Sequence, residues 1–489
     1  MKNKKVDNLS GEKFFTLSEF RHKAGIPLIL AKKLISWREI EAIRDEEGII
    51  RVAESEVFRF IKLIEKPWIK GYYFFRALGP GFITGASDDD PSGIGTYSSV
   101  GAKFGLGIIW MAAWLLPMMM AIQEVCARIG IVTNKGLAGV LQKHYKRKIV
   151  AFIVILLIVA NVVNIGADLG AMAASLQMLT NINFYVGAVF FAVLSILLEV
   201  FIGYRIYVRI LKWLALTVLA YVITGIIINP QWREIMNFAF IPRITFSEEY
   251  LFAIIAVFGT SITPYLFFWQ ASGEVEENEF KKKIQRLMHK KFHINNHERI
   301  AKMRTDVGTG MILANVVFFF IVLTTAQVLF KNGITNIESA HQAAEALRPL
   351  AGDYAYLLFA IGIIGTGLLA VPILAGSGAY ALAEVMKWHE GLDKKFSRAK
   401  GFYMVIIVSI LFGLLLNLLD INPIKALYYA AFLNGIIALP LLIVIMVVGD
   451  DKKIMGRETN PVWVKIFGWG AIFFIISTVA IGGMLHFVR

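Results

Sequence analysis

Long apolar runs follow one another along most of the chain, and short polar connections separate them. A helix needs about 20 consecutive apolar residues to cross a bilayer. The runs predict eleven transmembrane helices, here called spans 1 to 11, at residues 76–100, 105–131, 149–177, 182–203, 206–229, 250–272, 305–330, 354–385, 401–419, 423–448 and 463–487. The chain is 57% hydrophobic and 18% charged, whereas soluble domains are about half apolar and a quarter charged. The pattern therefore predicts an all-α polytopic membrane protein.

Lysine and arginine residues concentrate in every second connection between the spans. These basic groups follow spans 2, 4, 6, 8 and 10, at residues 135–148, 205–212, 281–291, 387–398 and 452–457. Short loops that carry an excess of Lys and Arg stay in the cytoplasm. We therefore expect a multi-pass protein of the cytoplasmic membrane, with its N-terminus in the cytoplasm and its C-terminus outside. The Lys and Arg residues of the cytoplasmic connections thus account for most of the net charge of +14. We therefore expect no nucleic-acid partner for the membrane part.

Two of the spans are interrupted at corresponding places. Span 1 contains Asp90-Pro91, and span 6, five spans later, contains Thr263-Pro264. Matching interruptions in two halves are typical of transporters built from inverted repeats. Five is an odd number, so the second half would have the opposite orientation in the membrane. The sequence therefore predicts a 5+5 repeat with a site where the two broken helices meet, and span 11 lies outside it.

The interruption in span 1 carries three consecutive carboxylates, Asp88, Asp89 and Asp90. An Asp at the centre of a membrane helix costs about 2.5–3.5 kcal/mol on insertion scales, so an acid there indicates a functional site. Pro91 removes a backbone donor and frees carbonyl groups beside these acids. Asp90 is predicted to bind a cation, with capping of the second half-helix as the alternative. Asp88 and Asp89 either line an aqueous approach or are buried and hydrogen-bonded to the backbone.

Residues 1–70 form a separate, charged cytosolic segment. The pattern Thr16-Leu17-Ser18-Glu19-Phe20 resembles the opening of small helix-turn-helix modules of the excisionase type, with residues 51–61 in the place of the wing and last helix. No clear recognition helix accompanies it. A cytosolic cap or regulatory segment is therefore favoured over DNA binding.

Several motifs resemble the Nramp family of divalent-metal transporters. They are Gly79-Pro80-Gly81, Asp90-Pro91-Ser92-Gly93, the run from Gln123 to Thr133, and Gly136-Leu137-Ala138. The resemblance covers about 70–489 and implies a leucine-transporter-type fold with helices 1 and 6 unwound around the substrate. Residues 71–449 would then be the core of ten helices, and 450–489 a connecting loop and the eleventh helix.

The departures from the Nramp pattern fall together on the metal site and on the proton route of the family. The family has Asn, Met and His where this chain has Gly93, Thr263 and Tyr265. In span 3, Asp168 is kept but Ala171 replaces a Glu, and Gln270 replaces a second His of span 6. This combination resembles the Nramp-related magnesium transporters, and it implies that the proton route of the family is absent from this chain.

The chemistry of these replacements favours a hard ion. A thioether is a soft ligand that selects transition metals, and Thr263 in its place leaves a site of oxygen atoms only. Mg²⁺ takes six oxygens at about 2.0–2.1 Å and keeps several of its waters. Gly93 would leave room for those waters. The site therefore suits a partly hydrated Mg²⁺, and Mn²⁺ accepts similar ligands.

The predicted metal site consists of Asp90, Gly93, Thr260 and Thr263. Asp90 is the charged ligand, and Gly93 supplies space. The resemblance implies that Thr260 offers its backbone carbonyl. Thr263 contributes its hydroxyl directly or through water, or else hydrogen-bonds back to its own helix. An ion pathway is predicted at Asp88, Asp89, Asp168, Gln270 and Asn434, the last beside an expected unwound part of span 10 before Pro440.

Other polar residues within the spans have structural interpretations. Glu124 and Arg128 are spaced i, i+4 and are expected to pair on one helix face. Asn161 and Asn164 are expected to hydrogen-bond between helices.

The sequence thus predicts inward transport of Mg²⁺, and also Mn²⁺, without proton coupling. The expected partners are the metal ion as substrate and the lipid bilayer; no cofactor and no enzymatic activity are expected, and no phosphate-binding loop of the Walker type is present. One alternative is a proton-coupled Mn²⁺/Fe²⁺ carrier with an altered site. Another is an organic-solute symporter, whose substrate carboxylate Asp90 would repel. A third is a membrane-tethered sensor with a DNA-binding head.

Overall fold

The structure is a computed structural model of the 489-residue chain. It describes residues 14–24, 31, 34–35, 40–44, 49–64, 79–202, 216–287, 296–392, 394–419 and 421–488. The chain divides into two compact units, Met1–Gly79 and Pro80–Arg489. The boundary predicted between residues 70 and 71 lies outside the described residues.

The N-terminal unit contains a small antiparallel sheet. Its strands are β1 (Phe14–Thr16), β2 (Ala42–Arg44) and β3 (Ile50–Ala53), in the order β1-β3-β2. Alternating burial along Ile50–Ala53 gives the period of two that a half-buried strand requires. The sheet is an addition to the all-helical class predicted for the chain.

Two helices accompany this sheet, α1 (Leu17–Lys23) and α2 (Glu54–Ile64). Helix α1 begins with a capping box, in which the Thr16 side chain accepts from the Glu19 amide and Glu19 accepts from the Thr16 amide. Phe20 and Phe60 meet edge to face, with ring centroids 5.7 Å apart, in the core of the unit. The capping box and the buried aromatic pair therefore belong to a folded module and not to an extended tail.

The second unit is a bundle of helices. Its helices are α3 (Pro80–Asp88), α4 (Pro91–Phe104), α5 (Trp110–Thr133), α6 (Leu137–His144), α7 (Arg147–Thr180), α8 (Phe184–Phe201), α9 (Leu219–Ile227), α10 (Trp232–Phe240), α11 (Glu248–Ser261), α12 (Pro264–Leu287), α13 (Asn296–Val328), α14 (Ala340–Ala344), α15 (Arg348–Ala351), α16 (Ala355–Met386), α17 (Lys400–Leu416), α18 (Pro423–Asp450), α19 (Lys452–Met455) and α20 (Val462–Val488).

Nine helical segments among the described residues are long and apolar enough to cross a membrane. Span 1, which carries Asp88, Asp89 and Asp90, is not among them, and span 5 falls partly in residues 203–215, outside the described ranges. The predicted class, a helical polytopic membrane protein, is confirmed. The count of eleven spans stays a prediction.

The two interrupted spans lie at the centre of the bundle. Helix α4 contacts α7, α11, α13 and α18, and α3 contacts α12, α13 and α16. Small residues permit the closest approaches, since a side chain at Gly85 would overlap the backbone of Gly310, and one at Gly259 would overlap the backbone of Gly435. The breaks are therefore surrounded by helices and not by lipid.

Each break has a local cause. Asp90 is extended (φ −71°, ψ 172°) and caps α4, which begins with Pro91, a residue favoured at the first helical position. In span 6 the helix stops at Ser261 and resumes at Pro264, and the residue before a proline is disfavoured in the helical region. Both interruptions were predicted from these prolines.

Span 10 differs from the prediction. Helix α18 runs without interruption from Pro423 to Asp450, with Pro440 inside it, so the unwinding expected beside Asn434 was wrong. Pro440 removes one backbone hydrogen bond, and membrane helices tolerate this where neighbouring groups satisfy the freed carbonyl.

Candidate metal site

Asp90 lies at the N-terminus of α4, and its side chain is only 1% exposed. Its Oδ1 accepts a hydrogen bond of 2.7 Å from the Gly93 amide. Its Oδ2 lies 3.3 Å from the hydroxyl of Tyr265, whose single proton is donated to the nearer Ser87 carbonyl at 2.8 Å. The capping role predicted as the alternative is therefore present. It leaves further lone pairs on the carboxylate, which has about four acceptor positions.

The second break comes together with the first. The hydroxyls of Ser92 and Thr260 lie 3.2 Å apart, and those of Tyr97 and Ser261 lie 2.9 Å apart. Both contacts join the first turns of α4 to the end of α11. The structure thus brings the two interrupted spans face to face at the residues predicted to form the site.

Thr263 is 1% exposed, and its hydroxyl has no hydrogen-bond partner among the described residues. The alternative in which this hydroxyl bonds back to its own helix is therefore not observed. Gly93 lies beside the same region, since a Cβ atom at this position would be 3.1 Å from the Asp88 carbonyl oxygen and 3.5 Å from the Thr260 hydroxyl. A longer side chain at residue 93 would enter the space between the two breaks.

Further oxygen atoms around the breaks are also unsatisfied within the described part of the chain. They belong to Asp88 (Oδ1) and to Asp168 (Oδ1 and Oδ2). Asp88, Asp89 and Asp168 are 2%, 6% and 0% exposed, so the acids are buried in this conformation and do not line an open vestibule. Unsatisfied buried oxygens cost free energy that a bound cation would recover.

Positive charge is scarce around these acids. Of the buried side chains in the described residues, the only basic one is Arg128, and it is paired with Glu124. The same described residues contain no group of three or more His, Cys, Asp or Glu side chains arranged to hold a metal. The donors that the structure does bring to the breaks are carboxylate and hydroxyl oxygens, which a hard ion prefers.

Two predicted pathway residues hydrogen-bond between helices. Gln270 accepts from the Thr84 hydroxyl at 2.6 Å and donates to Glu274 at 3.3 Å. Asn434 accepts from the Asn164 side chain at 2.9 Å, and its own amide nitrogen has no partner in the described ranges. The Thr84 contact thus joins Gln270 of α12 to α3, and the Asn164 contact joins Asn434 of α18 to α7. Their part in an ion pathway stays a prediction.

The structural interpretations of the other polar residues are confirmed. Glu124 and Arg128 form an ion pair, and Arg304 of α13 joins it at 2.9 Å. Asn161 donates to the Leu374 carbonyl and to the Ser377 hydroxyl, both at 2.8 Å. Asn164 reaches Asn434, as described above.

Sequence reasoning missed Asp306. This residue of α13 accepts from the amides of Gly81 and Phe82, at 2.8 and 3.2 Å, and so caps the start of α3 from another helix. A lone carboxylate near the start of an apolar span was the available signal. Its partners are 225 and 224 positions away, and no local pattern indicates them.

A helical membrane bundle with two interrupted helices meeting at buried oxygens defines the class of multi-pass membrane transporters. The sequence model of the family described as natural resistance-associated macrophage protein-like (Nramp) matches residues 81–484. The chain belongs to the Nramp family. The resemblance carried by the motifs of spans 1 and 2 is confirmed.

Similar sequences and structures agree with this assignment. Two proteins called divalent metal cation transporter MntH, from two strains of Klebsiella pneumoniae, are each 25% identical over 404 residues, which is 82% of this chain and 92% of theirs. A manganese transporter of Eremococcus coleocola, solved with an aromatic bis-isothiourea compound, has a TM-score of 0.66 at 17% identity and covers 83% of this chain and 86% of its own.

More distant structures share the fold alone. Mhp1, a nucleobase-cation-symport-1 family transporter, has a TM-score of 0.53 at 14% identity, with 83% of this chain and 93% of that chain covered. MhsT, solved with L-phenylalanine, has a TM-score of 0.51 at 12% identity, with 83% and 98% covered. The predicted leucine-transporter-type fold is confirmed.

Proposed function

We propose that this protein carries divalent cations, Mg²⁺ and also Mn²⁺, inward across the cytoplasmic membrane. The observation that supports the proposal most strongly is the buried hydroxyl of Thr263, which lies at the meeting point of the two breaks and has no hydrogen-bond partner among the described residues. An oxygen donor stands there in place of the thioether of the Nramp pattern. The membership in the Nramp family and the names of the relatives support divalent-metal transport in general.

The ligand chemistry supports a hard ion in particular. Carboxylate, hydroxyl and carbonyl oxygens suit Mg²⁺, and Mn²⁺ accepts the same donors. Mg²⁺ loses water reluctantly and is usually held by one or two carboxylates with several waters retained. Gly93 keeps any side chain out of the region between the Asp88 carbonyl and the Thr260 hydroxyl, where a Cβ atom would already be 3.1 Å from the former, and so leaves both oxygens accessible to an ion.

We further propose that transport proceeds without proton coupling. A doubly charged ion gains about 4.6 kcal/mol per 100 mV of interior-negative potential, twice the figure for a single charge. That gain alone supports a large accumulation. At residue 265 a tyrosine hydroxyl, directed at Asp90 and the Ser87 carbonyl, takes the place of an imidazole, and Ala171 is a buried methyl group where the Nramp pattern has a carboxylate.

Calorimetric titration of the purified full-length protein with Mg²⁺, Mn²⁺, Ca²⁺ and Cd²⁺ tests the metal preference. We expect Mg²⁺ and Mn²⁺ to bind and compete for one site, and Asp90→Asn, which can keep the cap of α4, to abolish binding. Strong binding of Cd²⁺ that excess Mg²⁺ leaves untouched would contradict the proposal.

The same titration distinguishes this proposal from a second candidate, which is a proton-coupled manganese carrier with an altered site. The printed names of the relatives favour this candidate, since they describe a divalent metal cation transporter and a manganese transporter. It predicts binding of Mn²⁺ and Cd²⁺ with Mg²⁺ ignored.

A further inference from the structure

One face of α7 lies opposite the break in span 1. Asn164, Asp168 and Met172 follow at intervals of four residues and therefore share this face. Asn164 donates to Asn434 of α18. Met172 lies beside Pro91, because a Cβ atom built on Gly367 would contact both the Met172 side chain and the Pro91 ring.

These two contacts fix the position of Asp168. It stands one turn from each of them, between the α18 contact and the first residue of α4. The charge of Asp90 and the backbone of Ser92 act on it electrostatically, and its own charge acts on Tyr265 of α12. Asp168 therefore faces the same break as Asp90, from a different helix.

No cationic side chain in the described ranges pairs with the carboxylate of Asp168, and the Ser92 backbone is the protein group that stabilises its charge. Its side chain is 0% exposed, and both of its oxygens lack a hydrogen-bond partner there. The single buried basic side chain of those ranges, Arg128, belongs to the ion pair with Glu124. A buried carboxylate takes up a proton unless it is paired or coordinates a metal, so a cation bound beside Asp90 is what would keep Asp168 charged.

We infer that Asp168 is a second carboxylate ligand of the transported cation, opposite Asp90. Two carboxylates balance the charge of a divalent ion, and this number is within the one or two that hold Mg²⁺ in proteins. The inference rests on the proposed function and extends it from a site with one charged ligand to a site with two. A site with two negative charges favours a divalent cation over Na⁺ or K⁺ of similar coordination.

Calorimetric titration of Mg²⁺ into Asp168→Asn protein tests the inference. Asparagine keeps the shape of the side chain and removes the charge, and we expect the dissociation constant to rise roughly tenfold or more. Glu199→Gln is the matched control, because Glu199 is also a buried acid without a partner among the described residues, and it lies on α8 outside the site. Mg²⁺ affinity should be unchanged in the control.

The possible results separate the inference from the proposed function. If Asp90→Asn abolishes Mg²⁺ binding while Asp168→Asn retains the wild-type affinity, Asp168 is a protonated or structural acid and the inference is wrong, although the proposed function stands. If the wild-type protein binds no Mg²⁺, the proposed function fails.

A second measurement needs no variant and so does not depend on how a variant folds. A structure of the wild-type protein determined by cryo-electron microscopy with Mg²⁺ should place an Asp168 oxygen about 2.1 Å from the ion. An ion held by Asp90 with Asp168 outside its coordination sphere would overturn the inference.

Discussion

At Thr263 a buried hydroxyl without a partner among the described residues stands at the break in span 6. Thr263→Met should restore a soft ligand at this point. We expect the affinity for Cd²⁺ relative to Mg²⁺ to rise by roughly tenfold, which corresponds to about 1.4 kcal/mol. Competition between the two ions in calorimetric titration measures this ratio.

Thr263→Val is the control for the methionine variant, because valine removes the hydroxyl without adding sulfur. It should weaken Mg²⁺ binding and leave Cd²⁺ without an advantage. An unchanged ranking of the metals in Thr263→Met would show that residue 263 does not determine selectivity.

Residue contacts could be predicted where they are local. Glu124 and Arg128 lie one turn apart on a helix, and their pairing follows from that spacing. The contacts of Tyr265 with Ser87 and Asp90 join residues about 175 positions apart, and they depend on how α12 packs against α3. Spacing along the chain carries no information about such contacts.

At the scale of elements, the placement of α3 depends on a cap supplied by another helix. Asp306→Ala removes the acceptor for the Gly81 and Phe82 amides. Hydrogen bonds to charged groups contribute about 1.5–3 kcal/mol each, so the first turn of α3 should open more readily. We expect faster hydrogen exchange at these two amides, measured by mass spectrometry on the purified protein.

The matched controls for this experiment are Asp306→Asn and Asp353→Ala. Asparagine keeps one uncharged acceptor and should give an intermediate exchange rate. Asp353 is an exposed acid, and its replacement should leave exchange in residues 80–88 unchanged. Wild-type exchange rates in Asp306→Ala would exclude Asp306 as the group that holds α3.

Prolines and caps made the breaks in spans 1 and 6 predictable, because both effects act within a few residues. The same reasoning was wrong for span 10. Pro440 occurs inside the continuous helix α18, where the surrounding helices maintain the helical path. The sheet of the N-terminal unit was also missed, since strands of three and four residues are too short to give a periodic signal.

For the whole molecule, hydropathy and the distribution of Lys and Arg predict the class and orientation, because each depends on composition summed over many residues. The class is confirmed, and the orientation stays a prediction. Composition does not predict the site, because its oxygen atoms come from α3, α4, α7, α11 and the two breaks. The carboxylates could be predicted one by one, but their common location required the fold.

The central claim is that this protein moves Mg²⁺ through a site of oxygen atoms without moving protons. Proteoliposomes that contain a Mg²⁺-sensitive dye and a pH-sensitive dye, held at an interior-negative potential, test it directly. The account predicts Mg²⁺ influx with no matching acidification, and no influx with Asp90→Asn protein. Acidification in proportion to the Mg²⁺ influx, or wild-type vesicles impermeable to Mg²⁺, would contradict it.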